Sequence, residues 1–310
     1  MSTNIAESVK ARLLNKGRGS GTEFELLLVR YGCERFLYRL GQSAVGDRCI
    51  LKGATLLALW MKEPHRATRD IDLLAFGASD EQTVRKIVTT VCSVPCEEDG
   101  ITFDLGTLRI SPIRENQRYQ GQRARLRARL GTAQIALQID FGFGNAVTSV
   151  VDEESLPTLI SGVPVPSLRT YPRVATIAEK FETMVQLGTM NSRMKDFYDV
   201  WALSETFQFG GAELQEAVAG CFERRGTAWT LAIPDALTSA FYSNPDLQMR
   251  WRSYGQDGQL LSPPPSSFEE IGNRMQSFLG PVRESIMADV GFQMHWSAGG
   301  PWRPDAASTA

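Results

Sequence analysis

The segment Ile50–Phe76 constrains the fold of this chain more than any other. An apolar pair leads into a Lys-Gly-Ala-Thr turn, a short apolar helix is predicted next, and the chain returns through Arg69 to the sequence Asp-Ile-Asp-Leu-Leu. Alternate side chains of an extended strand share one face, so Asp70 and Asp72 are expected to project together while their apolar neighbours are buried.

This pair of carboxylates indicates a metal site. Two carboxylates on one face repel each other unless a cation lies between them, and Mg²⁺ prefers such oxygen ligands. The glycine in the preceding turn lets the backbone approach phosphates, and amides at a helix N-terminus favour negative charge. The residues predicted to surround a nucleotide are Lys52, Gly53, Ala54, Thr55 and Arg69.

Composition narrows the class of protein. The 310 residues suffice for one catalytic unit of two lobes or for two modest domains, and a net charge of −2 excludes a uniformly basic nucleic-acid binder. No apolar run approaches the roughly 20 residues of a membrane span, so a cytoplasmic protein without a membrane partner is expected. Five scattered cysteines and two histidines give no zinc-site spacing and indicate reduced thiols.

Residues 122–143 predict a β-hairpin with a charged face. If Gly131-Thr132 forms a two-residue turn, antiparallel pairing sets Leu126 opposite Leu137. The same register sets Arg123 opposite Asp140, which becomes a third carboxylate beside four arginines that alternate with Ala and Leu. These are Arg123, Arg125, Arg127 and Arg129. A solvated strand face would explain a single arginine, but four together favour phosphates of a nucleotide or of RNA.

The strands and helices around these motifs indicate α/β or α+β architecture. Residues 101–113 predict a further hairpin with its turn near Gly106, and Ser79 with Gln82 forms a capping box for the helix before it. Pro, Ser and Gly are frequent between residues 150 and 172, which places the limit of the first lobe at residue 165. A helical lobe is predicted over 166–296, and a disordered tail over 297–310.

Two helices at the start of the second lobe carry further candidates. Lys180 lies within an apolar helix pattern, where it can reach water or, as a flexible point charge, a triphosphate. The next helix places Lys195, Asp196 and Asp199 near one face. Taken alone, that pattern is typical of a surface ion-pair cluster.

Five segments together resemble the AbiEii/AbiGii toxin family, a branch of the polymerase-β-type nucleotidyltransferase superfamily. They are LKGATLLALW, RATRDIDLL, LQIDFGFG, YPRVATIAEKFETMVQLG and NSRMKDFYDVW, in the family's order. A lone Asp-x-Asp is a weak signal, because glycosyltransferases also use one. The five segments in order are specific, and the likeness runs from Tyr31 to Trp201 and more faintly to Gly280.

The resemblance implies an α+β (α/β) fold, with a polymerase-β-like nucleotidyltransferase lobe on a mixed β-sheet followed by a mostly helical lobe. It implies a metal-dependent toxin of a type IV toxin–antitoxin system that transfers a nucleoside monophosphate from an NTP, with Mg²⁺ or Mn²⁺, to RNA and preferably to the tRNA 3′ end. It also implies a cognate antitoxin as a partner. Alternatives are transfer to a protein hydroxyl and a non-catalytic protein that binds RNA or antitoxin; glycosyl transfer is weaker.

The resemblance also implies residue roles. Asp70 and Asp72 match the family's metal-binding pair, and Asp140 matches the third carboxylate of the superfamily. The helix lysine and the late Lys-Asp motif of the family correspond to Lys180, Lys195, Asp196 and Asp199. One position departs from the superfamily, because Ala54 stands where its turn carries serine and only the adjacent Thr55 offers a hydroxyl.

Overall fold

The computed structural model describes residues 2–60, 69–113, 121–144, 152–256, 260 and 264–305. The chain divides into two units, Met1–Ala146 with Val151–Tyr171, and Val147–Val150 with Pro172–Ala310. Residues 61–68 of the segment Ile50–Phe76, and 306–310 of the predicted tail, lie outside the described residues. The first unit ends at Tyr171 rather than at the predicted residue 165, because one further strand, Ser167–Thr170, belongs to its sheet.

The first unit combines four helices with one sheet among the described residues. The helices are α1 Ser2–Ser20, α2 Phe24–Gln42, α3 Gly53–Trp60 and α4 Glu81–Cys92. The strands are β1 Cys49–Lys52, β2 Asp70–Ala75, β3 Ile101–Ile113, β4 Gly121–Leu130, β5 Ala133–Phe143, β6 Asp152–Ser155 and β7 Ser167–Thr170.

The sheet is mixed, as predicted, with the strand order β3-β4-β5-β2-β1-β7-β6. Strand β2 lies between β5, to which it is parallel, and β1, to which it is antiparallel. Strands β1 and β7 are parallel, and the outer pairs are antiparallel. The carboxylate strand is therefore central, with a paired neighbour on each side.

The predicted hairpin between β4 and β5 is confirmed. Gly131 and Thr132 form the turn, Leu126 pairs with Leu137, and Arg123 pairs with Asp140. Gly131 has φ +58°, a left-handed conformation that favours glycine. Along β4 the Ala and Leu side chains are buried and the arginines are half-buried or exposed, as the period of two predicts.

Two local predictions were wrong. Residues 101–113 form one strand rather than a hairpin, and the ladder to β4 shifts register between Asp104 and Arg109. Gly106 does not adopt a positive φ, so the chain passes it as a bulge and not as a tight turn. Helix α4 is capped by Asp80, whose carboxylate accepts the amide of Thr83 at 2.7 Å, and not by Ser79.

Helix α2 packs on the apolar face of the sheet. At Gly32 the two elements approach closely, since a Cβ there would lie 2.9 Å from Leu137 Cδ2. The same helix carries Arg39, which donates to the buried carboxylate of Asp99 at 2.6 Å and to the carbonyl oxygen of Val94 at 3.0 Å. A buried ion pair with additional hydrogen bonds fixes the loop before β3 against α2.

The second unit is mostly helical, as predicted. Its helices are α5 Arg173–Leu187, α6 Met194–Thr206, α7 Gly211–Arg225, α8 Ser239–Tyr242, α9 Pro245–Gly255 and α10 Phe268–Met287. A small antiparallel sheet has the order β10-β9-β8, from β8 Phe209–Gly210, β9 Met294–Trp296 and β10 Trp302–Pro304.

The predicted disorder of 297–310 was wrong for residues 297–305. Strand β10 pairs with β9, and Trp302 stacks on Phe278 at 5.7 Å between ring centroids. The Trp302 indole donates to the carbonyl oxygen of Phe278 at 2.9 Å. The packing of the Trp302 ring and the hydrogen bond of its indole N–H order this segment. The polar and glycine-rich residues around Trp302 had made this order hard to predict.

Among the described residues, no helix combines the length and apolarity needed to cross a membrane. All five cysteines are free thiols. Burial raises the pKa of each of the five thiols to about 12, so little thiolate exists near neutral pH.

The register of the β4–β5 hairpin makes a stability prediction. Replacing Leu137, which is 2% exposed, with alanine should lower the free energy of unfolding by about 2–5 kcal/mol, because it opens a cavity beneath α2. Urea unfolding followed by circular dichroism measures this. The exposed Gln134 of the same strand is the control, and Gln134→Ala should change stability by less than about 0.5 kcal/mol. Equal losses in both variants would contradict the assigned faces.

Candidate active site

Strand β2 places its two carboxylates on one face of the sheet. Asp70 and Asp72 are half-buried, while Ile71 and Leu73 are fully buried on the opposite face. The alternation expected from the sequence is therefore present. The carboxylate face lies opposite the apolar surface against which α2 packs.

Pairing across four neighbouring strands aligns four charged residues in one row. Lys52 of β1 pairs with Asp72, Asp72 pairs with Asp140 of β5, and Asp140 pairs with Arg123 of β4. Residues that pair in register project to the same face, so these side chains lie side by side. The two carboxylates lie in the middle of the row with one cation at each end, and these cations offset the repulsion between the two aspartates.

Asp72 lies directly over the start of α3. Gly53 opens that helix with φ +75°, and an added Cβ there would overlap Oδ2 of Asp72 and lie 2.7 Å from its Cγ. Only glycine satisfies both the backbone conformation and this close approach. The amides of the first helical turn create positive potential near the Asp72 carboxylate.

Thr55 and Ala54 occupy the first turn of α3. The Thr55 hydroxyl donates to the carbonyl oxygen of Asp70 at 3.0 Å, which ties the helix to β2. Its proton is therefore engaged within the protein, although its oxygen can still accept a hydrogen bond. The main-chain amides at Gly53 and Ala54 are consequently better suited to a phosphate than the Thr55 hydroxyl.

Asp140 is held by Arg123 in a bidentate ion pair. The Arg123 Nε donates to Oδ1 at 2.7 Å and Nη2 donates to Oδ2 at 2.6 Å. Both carboxylate oxygens retain a further lone pair, so a metal could share them. Within the described part of the chain, no three acidic, His or Cys side chains converge as a ready metal site. The donor chemistry fits Mg²⁺ at Asp70 and Asp72, whereas Asp140 fits only if it shares its oxygens with Arg123.

The other arginines of the predicted face differ in their partners. Arg125 Nε donates to the Gln138 side chain at 3.2 Å, and Arg129 forms an ion pair with Asp104 at 2.9 Å. For Arg127, no side-chain partner occurs among the described residues. Arg69 is exposed at the entrance to β2.

The candidates of the second unit form a buried cluster of charges. Lys180 of α5 donates to Asp196 at 2.7 Å and to Asp199 at 2.8 Å, and both carboxylates lie almost fully buried on α6. The spacing taken alone indicated a surface ion-pair cluster, and that interpretation is wrong. Asp199 is buried, and the cation that pairs with it is Lys180. Lys195, four residues before Asp199, is exposed and has no partner within the described part of the chain.

Asp196 receives a second cation from its own helix. Arg193 Nε donates to its other carboxylate oxygen at 2.6 Å. Burial alone would raise the pKa of Asp196, but Lys180 and Arg193 more than offset this, and the pKa lies below its ordinary value. Asp196 is therefore ionised at neutral pH. The stability contributed by this cluster is present above the unfolded-state pKa and is lost as the pH falls through the folded-state pKa.

Sequence reasoning missed two charged residues of these sites. Arg193 lies three residues before Asp196, a helical spacing that could have identified it. Arg109 lies opposite Arg125 across the β3–β4 ladder. The predicted turn near Gly106 concealed it, because a hairpin would have paired residues 107–113 with residues 101–105 instead of with β4.

Comparison with known proteins gives one family, and two of the solved structures that resemble this chain are from Helicobacter pylori. A family model described as "Nucleotidyl transferase AbiEii toxin, Type IV TA system" matches residues 35–274. JHP933 from Helicobacter pylori shares 14% identity with a TM-score of 0.47, covering 84% of this chain and 94% of that one. A candidate nucleotidyltransferase from H. pylori shares 14% identity at a TM-score of 0.47, covering 85% of this chain and 97% of that one. The curated proteins contain no match.

A carboxylate pair on a central strand of a mixed sheet, preceded by a glycine turn that opens a helix, fits the nucleotidyltransferase class. The family match spans well over half of the chain. The chain belongs to the AbiEii family of nucleotidyltransferase toxins of type IV toxin–antitoxin systems, as the sequence resemblance implied.

The contact between Gly53 and Asp72 predicts the effect of one added methyl group. Gly53→Ala should lower stability by about 1–3 kcal/mol, because the Cβ strains the backbone and displaces the Asp72 carboxylate. Thermal unfolding and a metal-binding titration measure the two effects. Gly19→Ala is the control, since Gly19 has open space around it and should be neutral or slightly stabilising. Unchanged metal binding in Gly53→Ala would contradict the proposed geometry.

The buried cluster predicts that Lys180 has a structural role in addition to any role in the reaction. Lys180→Met should cost about 3–5 kcal/mol in urea unfolding, because two buried carboxylates lose their shared cation. The double variant Lys180→Met, Asp199→Asn should recover part of that loss. Full stability of the single variant would show that the cluster does not depend on this ion pair.

Proposed function

We propose that this chain is a metal-dependent nucleotidyltransferase toxin that transfers a nucleoside monophosphate from an NTP to an RNA acceptor, preferably the tRNA 3′ end. The observation that carries the proposal is the placement of Asp72. It lies beside Asp140 in register and directly over the first turn of α3. This arrangement sets a carboxylate pair next to amides that suit a triphosphate.

Asp70 and Asp72 would hold Mg²⁺ or Mn²⁺, with Asp140 as a third ligand that shares its oxygens with Arg123. Bound there, the metal would neutralise phosphate charge and lower the pKa of an acceptor hydroxyl. Arg123 holds Asp140 at a fixed position, so the third carboxylate cannot turn away from the row. This fixed placement favours a defined approach of the acceptor oxygen to the α-phosphorus.

The start of α3 would orient the triphosphate. The amides of Gly53 and Ala54 bind phosphate oxygens, and Lys52 adds a positive charge on the same face as Asp72. A bond forms between the acceptor oxygen and the α-phosphorus, the bond from that phosphorus to the bridging oxygen breaks, and pyrophosphate leaves. The proton of the acceptor hydroxyl passes to solvent water in the same step.

The resemblance to the family assigns Lys180, Lys195, Asp196 and Asp199 to the same reaction. The ion pairs keep Asp196 ionised and rigid. Lys195 is exposed, which suits a contact with a phosphate. A cognate antitoxin is the proposed protein partner, because the family belongs to toxin–antitoxin systems.

Labelled nucleotides test the proposal directly. The purified full-length chain is incubated with each of the four α-labelled NTPs, Mg²⁺ and a cell extract, and RNA and protein are then separated. Label is expected in the tRNA fraction, and Asp72→Ala should reduce it by roughly a hundredfold or more. Asp47→Ala is the control, because Asp47 is an exposed carboxylate of the same unit outside the site.

The other outcomes separate the alternatives. Label in protein alone would favour transfer to a protein hydroxyl. Absence of label from both fractions with every NTP would overturn the proposal. A cellular effect that survives Asp72→Ala would favour a protein that acts by binding alone.

A further inference from the structure

A cavity of about 740 Å³ opens in the first unit next to Asp70. Its volume falls within the range of about 300–1,000 Å³ that is usual for small-molecule sites. Four arginines line it, namely Arg69, Arg109, Arg125 and Arg127. Arg69 directly precedes β2, Arg109 lies on β3, and the other two arginines lie on β4.

The cavity borders the irregular part of β3, because Gly106 and Thr107 contribute to its lining. The ladder between β3 and β4 is interrupted between Asp104 and Arg109. Thr107 bridges the gap, since its hydroxyl donates to the carbonyl oxygen of Asp104 at 2.7 Å and accepts the amide of Arg127 at 2.9 Å. The bulge therefore has a defined hydrogen-bonded structure, and it lies between the ladder positions of Arg127 and Arg125.

Among the described residues, the arginines that line the cavity form no ion pair with a carboxylate. Of the arginines on β4, Arg123 and Arg129 pair with carboxylates, whereas Arg125 and Arg127 have no carboxylate within ion-pair distance among the described residues. Arg109 donates to the main-chain carbonyl oxygen of Leu108 at 3.0 Å. The acidic residues of the lining are Asp70 and Glu25, which leaves an excess of positive charge.

Arg109 and Arg125 face each other directly across the ladder. Like charges in opposite positions of neighbouring strands destabilise a sheet. A phosphate placed between two guanidinium groups would remove this repulsion and bind both groups through charge-assisted hydrogen bonds. This unfavourable pair is an observation independent of the cavity, and it indicates an anionic ligand.

The rest of the lining combines apolar residues with the polar side chains of Thr107 and Gln138. Leu126 and Leu137, which are almost fully buried, contribute to it together with Val29. Single-stranded RNA offers a base for apolar contact or stacking on a guanidinium plane, and a phosphate for the arginines. A cavity with both kinds of wall fits a nucleotide better than it fits a simple inorganic anion.

We propose that this cavity binds the nucleotides that precede the reacting 3′ end of a single-stranded RNA acceptor. The inference rests on the proposed function and extends it from the arginine face of β4 to one defined site that includes Arg109. Asp70 belongs both to the cavity and to the carboxylate pair, so a strand whose terminal hydroxyl lies at that pair has its preceding nucleotide in the cavity. The triphosphate occupies the other side of Asp72, at Lys52 and Gly53.

Binding without NTP tests this site. A short fluorescein-labelled oligoribonucleotide with a free 3′ hydroxyl is titrated with the full-length chain, and the anisotropy gives Kd. Arg127→Gln and Arg109→Gln should each weaken binding roughly tenfold, and each should reduce the salt dependence by about one phosphate contact. Arg129→Gln removes the same charge two residues along β4 but outside the cavity, and it should weaken binding less than about twofold.

Stability separates a binding role from a structural one. Because Arg109 repels Arg125, Arg109→Gln should melt no lower than the parent chain while it binds RNA more weakly. Equal effects of Arg127→Gln and Arg129→Gln would show a diffuse basic surface and overturn the proposal. Displacement of the labelled RNA by an equimolar free nucleoside monophosphate would also overturn it, in favour of a mononucleotide site.

The result is independent of the transferase assay. Nucleotide transfer to RNA with no effect of the cavity variants on RNA binding would refute the cavity alone. Loss of RNA binding in those variants, in a chain that labels no acceptor, would support the cavity and refute the proposed transfer.

Discussion

The parallel pairing of β2 with β5 is the constraint on which the candidate site depends. It sets Asp72 beside Asp140, and each of these aspartates has a cation on its outer side. A slip of one residue would turn the β2 carboxylates to the apolar face beneath α2, where charge without a partner is costly. The burial of Ile71 and Leu73 therefore enforces the geometry of the carboxylates as strictly as any polar contact does.

Local sequence patterns predicted the parts of the fold that local physics decides. The period of two in β2 and β4, and the glycine turn at Gly131, gave correct faces and a correct hairpin register. The strand order was not accessible in this way, because the insertion of β2 between β5 and β1 depends on contacts distant in sequence. The buried pair of Arg39 and Asp99 was missed for the same reason.

The errors have a common physical origin. Gly106 was taken as a turn, although glycine also permits a bulge within a continuous strand, and only the partner strand decides between these outcomes. The C-terminal segment was taken as disordered because its apolar residues are few, yet Trp302 buries enough surface to order it. For the candidate site, the sequence allowed the charged residues to be predicted, but it did not show which of them form ion pairs. Arg123 and Arg127 look equivalent in sequence, and only one of them has a carboxylate partner within the described residues.

The limits of the family match have a practical consequence for protein production. The match begins within α2 and ends within α10, whereas the helices continue to Phe24 and to Met287. A fragment cut to residues 35–274 would divide both helices and discard β9 and β10. The fragment would also lack Phe278, so Phe209 would lose its ring contact with that residue. The matched segment therefore identifies the family but does not coincide with a unit that folds independently. Expression of that fragment would yield a chain with exposed apolar surface and a tendency to aggregate.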